Sequence, residues 1–390
     1  MQLKKAVICG VAVLLAAGFI SGCGGQAQTS TIKIGYLAPL TGGNSATGIG
    51  MKNSAQLAVD QANKSGKYPY KFELVALDDG GDPSTAVAAA NKLVADKDVV
   101  AVGGHFNSGC ALATVPIFHK NGMPMVVTAA IHPDITAKGY KEITRIITAS
   151  DVQTKYAGEL AANKWGVKTI ALINDRTDYG KTNATSFGEA AASHDAKVIS
   201  EDGINVGQQD FSALLTKIKA ENPDCIYFGG VATEAGLLKK QMADLQMDCL
   251  LISDTGIVSD TFNKIAGPAA EGTISFNIGK PLSELPGGQK FMDDYKAAGF
   301  AEPYENWGPF AYDTVNLIIQ SIADNKANTR SKAIDAIRKV HFKGLLGDTE
   351  FDENGQTKNN LIVPYVSANG KWTLLEKSGL KIDNAHISKT

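Results

Sequence analysis

The sequence predicts an α/β protein of two similar, doubly wound lobes, each a parallel sheet with helices on both faces. Short apolar segments alternate with segments of helical periodicity from residue 31 onward, and the same alternation starts again after Ser150. This alternation is typical of βαβ units. The residues that follow the apolar segments are mostly glycine, hydroxylic or otherwise small. Ligands of doubly wound sheets bind beyond the carboxyl ends of the strands, so these residues predict a cleft for a small polar ligand.

The first lobe is expected to begin with four strands and three helices. Short, largely apolar runs predict strands at residues 32–37, 72–77, 99–102 and 125–127. The segments between them predict helices at about 50–63, 84–96 and 109–121. Asp82 directly before Pro83 predicts the N-cap and the first residue of the second of these helices.

The second lobe repeats this order, and the remainder of the chain changes character. Strands are predicted at residues 169–173, 197–200, 225–228 and 250–252, with helices at about 152–165, 180–194, 211–221 and 232–246. Residues 281–340 are mainly helical in pattern. Beyond them, Asn354-Gly355 lies between apolar segments at 349–351 and 361–366, which predicts a hairpin that joins these two segments.

The N-terminus has the order of a bacterial export signal. Lys4 and Lys5 precede an uncharged stretch over residues 6–20, and Ser21-Gly22-Cys23 follows. A run of about 15 apolar residues is short for a membrane span, which needs roughly 20, but suits a secretory signal. The segment before Cys23 resembles a lipobox. We therefore expect a signal peptide over 1–22, a lipid anchor on Cys23, a flexible tether over 23–30, and an extracytoplasmic location.

Composition argues against several other classes. A net charge of −2 without a lysine or arginine cluster gives no reason to expect a nucleic-acid partner. Three cysteines remain after Cys23, namely Cys110, Cys225 and Cys249, and they do not form a disulfide framework. A bridge between Cys225 and Cys249 stays open beside the alternative of buried free thiols.

No cofactor or metal is expected from the motifs. The glycine-rich loop at 41–50 has Asn53 where a dinucleotide fingerprint needs its third glycine. The acidic segment at 78–82 lacks the spacing of a calcium loop, and no histidine and cysteine have metal-ligand spacing.

Ser108 is the main candidate for ligand contact. It lies between a predicted strand and a predicted helix, where a helix N-terminus offers free N–H groups to a carboxylate. A simple N-cap is the alternative. A nucleophilic serine with His105 as base would need glycines where Phe106 and Cys110 stand, so no enzyme is expected.

Several short motifs occur in an order that spans about 350 residues. They include Thr41-Gly42, Asp78-Asp79 with Asp82-Pro83, Asn174-Asp175 with Tyr179-Gly180, Tyr227-Phe228-Gly229-Gly230, and Ala311-Tyr312-Asp313. In this order the chain resembles the leucine/isoleucine/valine-binding protein family, the type I periplasmic solute-binding proteins of ABC transporters.

The resemblance implies the type I periplasmic-binding-protein fold, with two Rossmann-like doubly wound lobes joined by three hinge crossovers. The crossovers are expected near residues 148–152, 277–281 and 344–350. The N-terminal lobe would contain 31–150 and 281–345, and the C-terminal lobe 151–280 and 346–390.

The resemblance also implies the site residues. Ser108 and backbone around Ile131 would hold a ligand carboxylate, the Ala129 carbonyl would accept from an ammonium group, and Tyr179 would close from the other lobe. This sequence departs from the family at four positions. Ile131 replaces the family's threonine, and Thr255, with Asp254 beside it, replaces the family's acidic residue. Thr47 and Val231 replace two aromatic residues. The ligand-binding residues expected are thus Thr47, Asn107, Ser108, Ala129, Ala130, Ile131, Tyr179, Val231, Asp254 and Thr255.

The function expected is that of a non-enzymatic binding lipoprotein of an ABC importer. It would deliver a branched-chain or related amino acid to permease subunits with cytoplasmic ATPases, and it would meet the membrane only through its lipid anchor. Another small carboxylate or amide as ligand remains an alternative. So does a sensor that docks on a signalling receptor.

Overall fold

The computed structural model describes residues 30–389. The expected signal peptide, Cys23 and the tether up to residue 29 lie outside the described residues. Within 30–389, no helix has both the length and the apolar character that a membrane crossing needs.

The first sheet has five parallel strands in the order β2-β1-β3-β4-β5. In chain order they are β1 (Thr31–Ala38), β2 (Lys71–Asp78), β3 (Val99–Gly104), β4 (Met125–Val127) and β5 (Ile143–Arg145). Both faces are covered, which explains why these strands read as continuous apolar runs rather than as alternating ones.

Helices connect these strands, and α2 and α3 begin within one residue of the predicted start, whereas α1 begins five residues earlier and α4 was not predicted. They are α1 (Ser45–Ser65), α2 (Pro83–Ala95), α3 (Ser108–Lys120) and the single turn α4 (Asp134–Ala137). Asp82 caps α2 as expected, because its side chain accepts from the backbone N–H of Thr85 at 2.8 Å.

The second sheet repeats the strand order of the first and adds two antiparallel strands. Its order is β14-β13-β10-β9-β8-β6-β7, of which β6 to β10 are parallel. Its strands are β6 (Thr169–Asn174), β7 (Lys197–Gly203), β8 (Cys225–Gly229), β9 (Leu250–Asp254), β10 (Ile274–Ile278), β13 (Ile362–Ala368) and β14 (Lys371–Leu374). The helices that cover it are α5 (Ser150–Asn163), α6 (Asp178–Ala192), α7 (Ser212–Glu221), α8 (Ala232–Asp244) and α9 (Asp260–Ala266).

After β10 the chain returns to the first lobe. Three helices and a hairpin follow, namely α10 (Gly288–Ala297), α11 (Gly308–Asp324), α12 (Arg330–Arg338), β11 (Phe342–Gly344) and β12 (Gly347–Thr349). Helix α11 supplies Val315, Ile318 and Ile322 to the core beneath the first sheet. The buried carboxylate of Asp313 holds the β11–β12 turn. It accepts from the N–H groups of Leu345 at 2.9 Å and Leu346 at 2.8 Å. A last hairpin of β15 (Leu380–Asp383) and β16 (His386–Lys389) ends the described chain.

The third crossover lies later than the sequence predicts. Phe351 packs in the core of the first lobe, and Gln356 bridges to Arg145 at the edge of the first sheet. The chain enters the second sheet only at Ile362. The chain therefore leaves the first lobe after Lys358 and joins the second at Leu361, later than the expected crossover at 344–350 and the expected boundary at 345/346.

The reason is the turn at residues 352–355. Asp352 accepts from the backbone N–H groups of Asn354 and Gln356, both at 2.9 Å, so the turn closes on itself and pairs Phe351 with Thr357. The predicted hairpin between 349–351 and 361–366 does not form. Instead, β13 pairs with β10 and β14.

The three cysteines in the described part of the chain are free thiols. Cys225 and Cys249 lie on or beside the neighbouring strands β8 and β9, and no bridge joins them.

Candidate ligand-binding cleft

A cavity of about 350 Å³ lies where the carboxyl ends of the two sheets face each other. Residues of both lobes line it. Six of the predicted site residues are among them, namely Asn107, Ser108, Ala129, Ile131, Tyr179 and Val231. The lobes meet across the cavity, because Tyr179 and Val231 of the second lobe pack against the core of the first.

The wall contributed by the first lobe is built around the start of α3. Asn107 occupies the N-cap position without a side-chain cap bond, and Ser108 is the first helical residue. Ser108 is therefore not the N-cap that the sequence left open. Its hydroxyl instead accepts from the backbone N–H of His132 at 3.3 Å. A helix N-terminus carries unpaired N–H groups and partial positive charge, so this wall favours an anion.

Two hydrogen-bond acceptors on the same wall have no partner within residues 30–389. The side-chain oxygen of Asn107 is buried and unpaired. The N–H groups of Ala129 and Ala130 donate to the His105 carbonyl at 3.1 and 3.2 Å, while the Ala129 carbonyl accepts no such bond. Buried acceptors are normally paired, so both atoms are suited to a donor on a ligand.

A buried hydrogen-bonded pair, His105 and Asp79, lies behind this wall. The Nδ1 of His105 lies 2.6 Å from Asp79, and its Nε2 lies 2.9 Å from the Thr114 hydroxyl. Both ring nitrogens are thus engaged away from Ser108, so no serine–histidine catalytic pair is formed. Asp79, His105 and Cys110 are close enough to share a metal ion. They fit one poorly, because the histidine is fully hydrogen-bonded and burial raises the pKa of the Cys110 thiol, which disfavours the thiolate that would bind a metal.

The wall contributed by the second lobe is acidic. The side chains of Asp175, Asp178 and Glu234 line the cavity, and we call them the acidic wall. Asp175 accepts from the N–H and hydroxyl of Thr177 at 3.0 and 2.6 Å, and burial raises the pKa of its carboxyl to about 6. Glu234 accepts from the Gly207 N–H at 2.8 Å. None of the three is among the predicted site residues, although each lies within six residues of the end of a predicted strand.

Four predicted residues do not line the cavity. Ala130 is buried in the first-lobe core, and Thr47 lies in the first turn of α1, whose preceding loop contributes Gly43 and Asn44 instead.

Asp254 and Thr255 are completely buried in the second lobe. Asp254 accepts from the Tyr179 hydroxyl and the Asn183 amide, and burial raises the pKa of its carboxyl to about 7. The Thr255 hydroxyl accepts from Gln153 at 2.5 Å. Neither side chain lines the cavity in this structure, where Gly256 alone represents this loop.

Between the two walls the lining is apolar. The rings of Phe106 and Trp307 meet edge-on with centroids 6.0 Å apart. Ile131, Val206 and Val231 also line this region. A small aliphatic group fits such a surface.

The comparisons with known proteins agree with this architecture. A family model described as periplasmic binding protein matches residues 31–371. The chain belongs to this family. Leu/Ile/Val-binding protein BraC3 of Rhizobium johnstonii is 38% identical over 348 residues, which cover 88% of this chain and 94% of the relative. The leucine-, isoleucine-, valine-, threonine-, and alanine-binding protein of Pseudomonas aeruginosa is 32% identical over 348 residues, covering 89% and 92%.

The fold is likewise that of solved members. The branched-chain amino acid transporter substrate binding protein LivJ of Streptococcus pneumoniae, solved with isoleucine, superposes with a TM-score of 0.78 at 25% identity, covering 93% of this chain and 100% of that one. The predicted resemblance and the type I periplasmic-binding-protein fold are therefore confirmed. The protein is an extracytoplasmic solute-binding protein.

Proposed function

We propose that this periplasmic binding protein captures a branched-chain or related aliphatic α-amino acid and delivers it to an ABC importer. The observation that carries the proposal is the distribution of polar groups in the cleft. Donors and acceptors lie close together at the start of α3, where Ser108 is beside the Asn107 oxygen and the Ala129 carbonyl, and apolar side chains line the adjoining region. An aliphatic α-amino acid has the complementary distribution, because its two charged groups share one carbon and its apolar side chain extends from the same atom.

The carboxylate would bind at the start of α3. Ser108 and the first N–H groups of this helix supply hydrogen bonds and the positive end of the helix dipole. Charge-assisted bonds of this kind are stronger than neutral ones.

The ammonium group would bind between the Ala129 carbonyl, the Asn107 side-chain oxygen and the acidic wall. Among the described residues that line the cavity, the only basic side chain is Arg176, which is exposed and bonded to Asn205 at 2.6 Å. The cavity is therefore net negative, and a carboxylate without an amino group would meet uncompensated repulsion. This favours an α-amino acid over its deaminated analogues.

The side chain would contact Phe106, Ile131, Val231 and Trp307. The names of the relatives support an aliphatic ligand, since both are named for binding leucine, isoleucine and valine. The transporter role follows from the solved relative named as a transporter substrate-binding protein. We further propose permease subunits with cytoplasmic ATPases as partners, a lipid anchor on Cys23, and no catalytic activity.

A thermal-shift screen tests the ligand class. It should compare L-leucine, L-isoleucine and L-valine with 2-oxo acids of the same side chains, with aromatic acids and with short amides. A ligand at about 100 times its Kd adds roughly 2.7 kcal/mol to the free energy of unfolding, so a true ligand raises Tm clearly. We expect the amino acids to raise Tm and the matched 2-oxo acids not to. Stabilisation by an aromatic acid or an amide alone would refute the proposal.

A further inference from the structure

The hydroxyl of Tyr179 is turned into the second lobe rather than into the cleft. It donates to one carboxylate oxygen of Asp254, and the Asn183 side-chain N–H donates to the other. The N–H of Gly256 also donates to Asp254, at 3.3 Å. Asp254 and Asn183 are completely buried.

The complete burial of Asp254 makes these hydrogen bonds necessary. Within residues 30–389, no basic side chain forms an ion pair with it, so neutral donors alone hold the carboxylate. A buried carboxylate without hydrogen bonds is costly. The Tyr179 hydroxyl hydrogen is therefore committed to Asp254, and the ring of Tyr179 is what lines the cavity.

Gly256 makes room for the phenol. A β-carbon at this position would overlap the Tyr179 hydroxyl and would lie 2.8 Å from the Gly230 carbonyl oxygen. Any side chain at residue 256 would therefore displace the Tyr179 phenol or the Gly230 backbone.

We infer that Asn183, Asp254 and Gly256 form a socket that fixes the phenol of Tyr179, and that they are positioning residues for ligand binding. The four residues all belong to the second lobe, so the socket does not depend on cleft closure. It presents a rigid ring to the ligand when the lobes meet. The effect on amino-acid affinity rests on the proposed function, whereas the socket itself does not.

The socket is tested first without ligand. Tyrosine labelled with ¹³C at the hydroxyl-bearing ring carbon reports phenol hydrogen bonding by NMR, and Tyr179→Phe identifies the Tyr179 signal. Other titratable groups near Asp254 are Asp175 and Tyr227. We expect the Tyr179 signal to titrate near neutral pH in Asp175→Asn, but not in the double variant Asp175→Asn/Asp254→Asn. A signal that does not titrate in Asp175→Asn, or that still titrates in the double variant, would overturn the socket.

The contribution to affinity is tested by calorimetry with L-leucine as the probe. Asp254→Ala and Tyr179→Phe should each weaken binding about ten-fold, the equivalent of one hydrogen bond. The double variant should be no weaker than either single one, because both remove the same contact. Val231→Ala, which lies outside the socket, is the control and should add its effect to that of Asp254→Ala.

The alternatives give different results. If Asp254 bound the ammonium group directly, Asp254→Asn would weaken L-leucine but not 4-methyl-2-oxopentanoate, and Tyr179→Phe would not remove the effect. That outcome would contradict the inference. If no amino acid binds the wild type, the proposed function fails, while the NMR titration still decides whether the socket exists.

Discussion

Two buried carboxyl groups should make the protein more stable at mildly acidic pH than at neutral pH. Burial raises the pKa of Asp254 and of Asp313 from 3.8 to about 7. Between these pH values each group holds a proton in the folded state but not in the unfolded state. Folding therefore takes up a proton, and the free energy of unfolding falls as pH rises from about 4 to about 7.

The size of the effect follows from the shifts. One pKa unit corresponds to about 1.4 kcal/mol, so the change between pH 5 and pH 7 is roughly 2–3 kcal/mol for each carboxyl. Groups with lowered pKa, such as Asp82 at about 2, lose their contribution only below this window. His132 acts in the opposite direction, because burial lowers its pKa and stability falls as pH drops below about 6.5.

Urea unfolding of the ligand-free protein at pH 5, 6 and 7 measures this dependence. Asp254→Asn and Asp313→Asn should each reduce the slope of the unfolding free energy against pH, and the double variant should reduce it further. Asp82→Asn is the control, since its carboxyl does not titrate in this range. A wild-type stability that is constant or rises from pH 5 to pH 7 would refute the reasoning, as would an unchanged slope in both variants.

Three further predictions concern single residues. Ser108→Ala should weaken ligand binding by roughly 1–3 kcal/mol through loss of a charge-assisted bond, and calorimetry showing unchanged affinity would remove Ser108 from the site. Arg145→Met should lower the free energy of unfolding, measured in urea, by roughly 3 kcal/mol, because the buried guanidinium donates to the His132 carbonyl and to Gln356, both at 2.6 Å. A loss below about 0.5 kcal/mol, the size of a typical surface substitution, would contradict this role. Phe351→Ala should lower the free energy of unfolding by roughly 3–5 kcal/mol, because residue 351 belongs to the first-lobe core. A loss near zero in the same urea assay would show that the segment does not belong to this core.

The sequence predicted eight of the ten parallel strands within residues 30–389, all except β5 and β10, for a physical reason. Strands buried on both faces must be apolar throughout, and this pattern is visible without a structure. The third crossover was less predictable. The turn at 352–355 is encoded locally by Asp352 and Asn354-Gly355, but a local signal does not say which sheet the flanking segments join.

The sequence placed residues at the cavity where backbone position decides their location. Ser108, Ala129 and Tyr179 each follow a strand and line the cavity. Asp254 could have been placed by the two-residue period of β9. It lies on the same face as Ile252, whose core cluster includes Phe187 of α6, and that face leads to Asn183 and Tyr179 rather than to the cavity.

The contacts of Arg145 have a consequence for the motion of the lobes. Its guanidinium joins the carbonyl of His132, beside the cleft, to Gln356, directly before the third crossing. The loop beside the cavity and the segment that leads into the third crossing are thus joined and should move together. Bending should therefore be confined to the three crossover segments. Opening of the cleft should be a rotation about a nearly fixed axis, with little sliding of one lobe over the other.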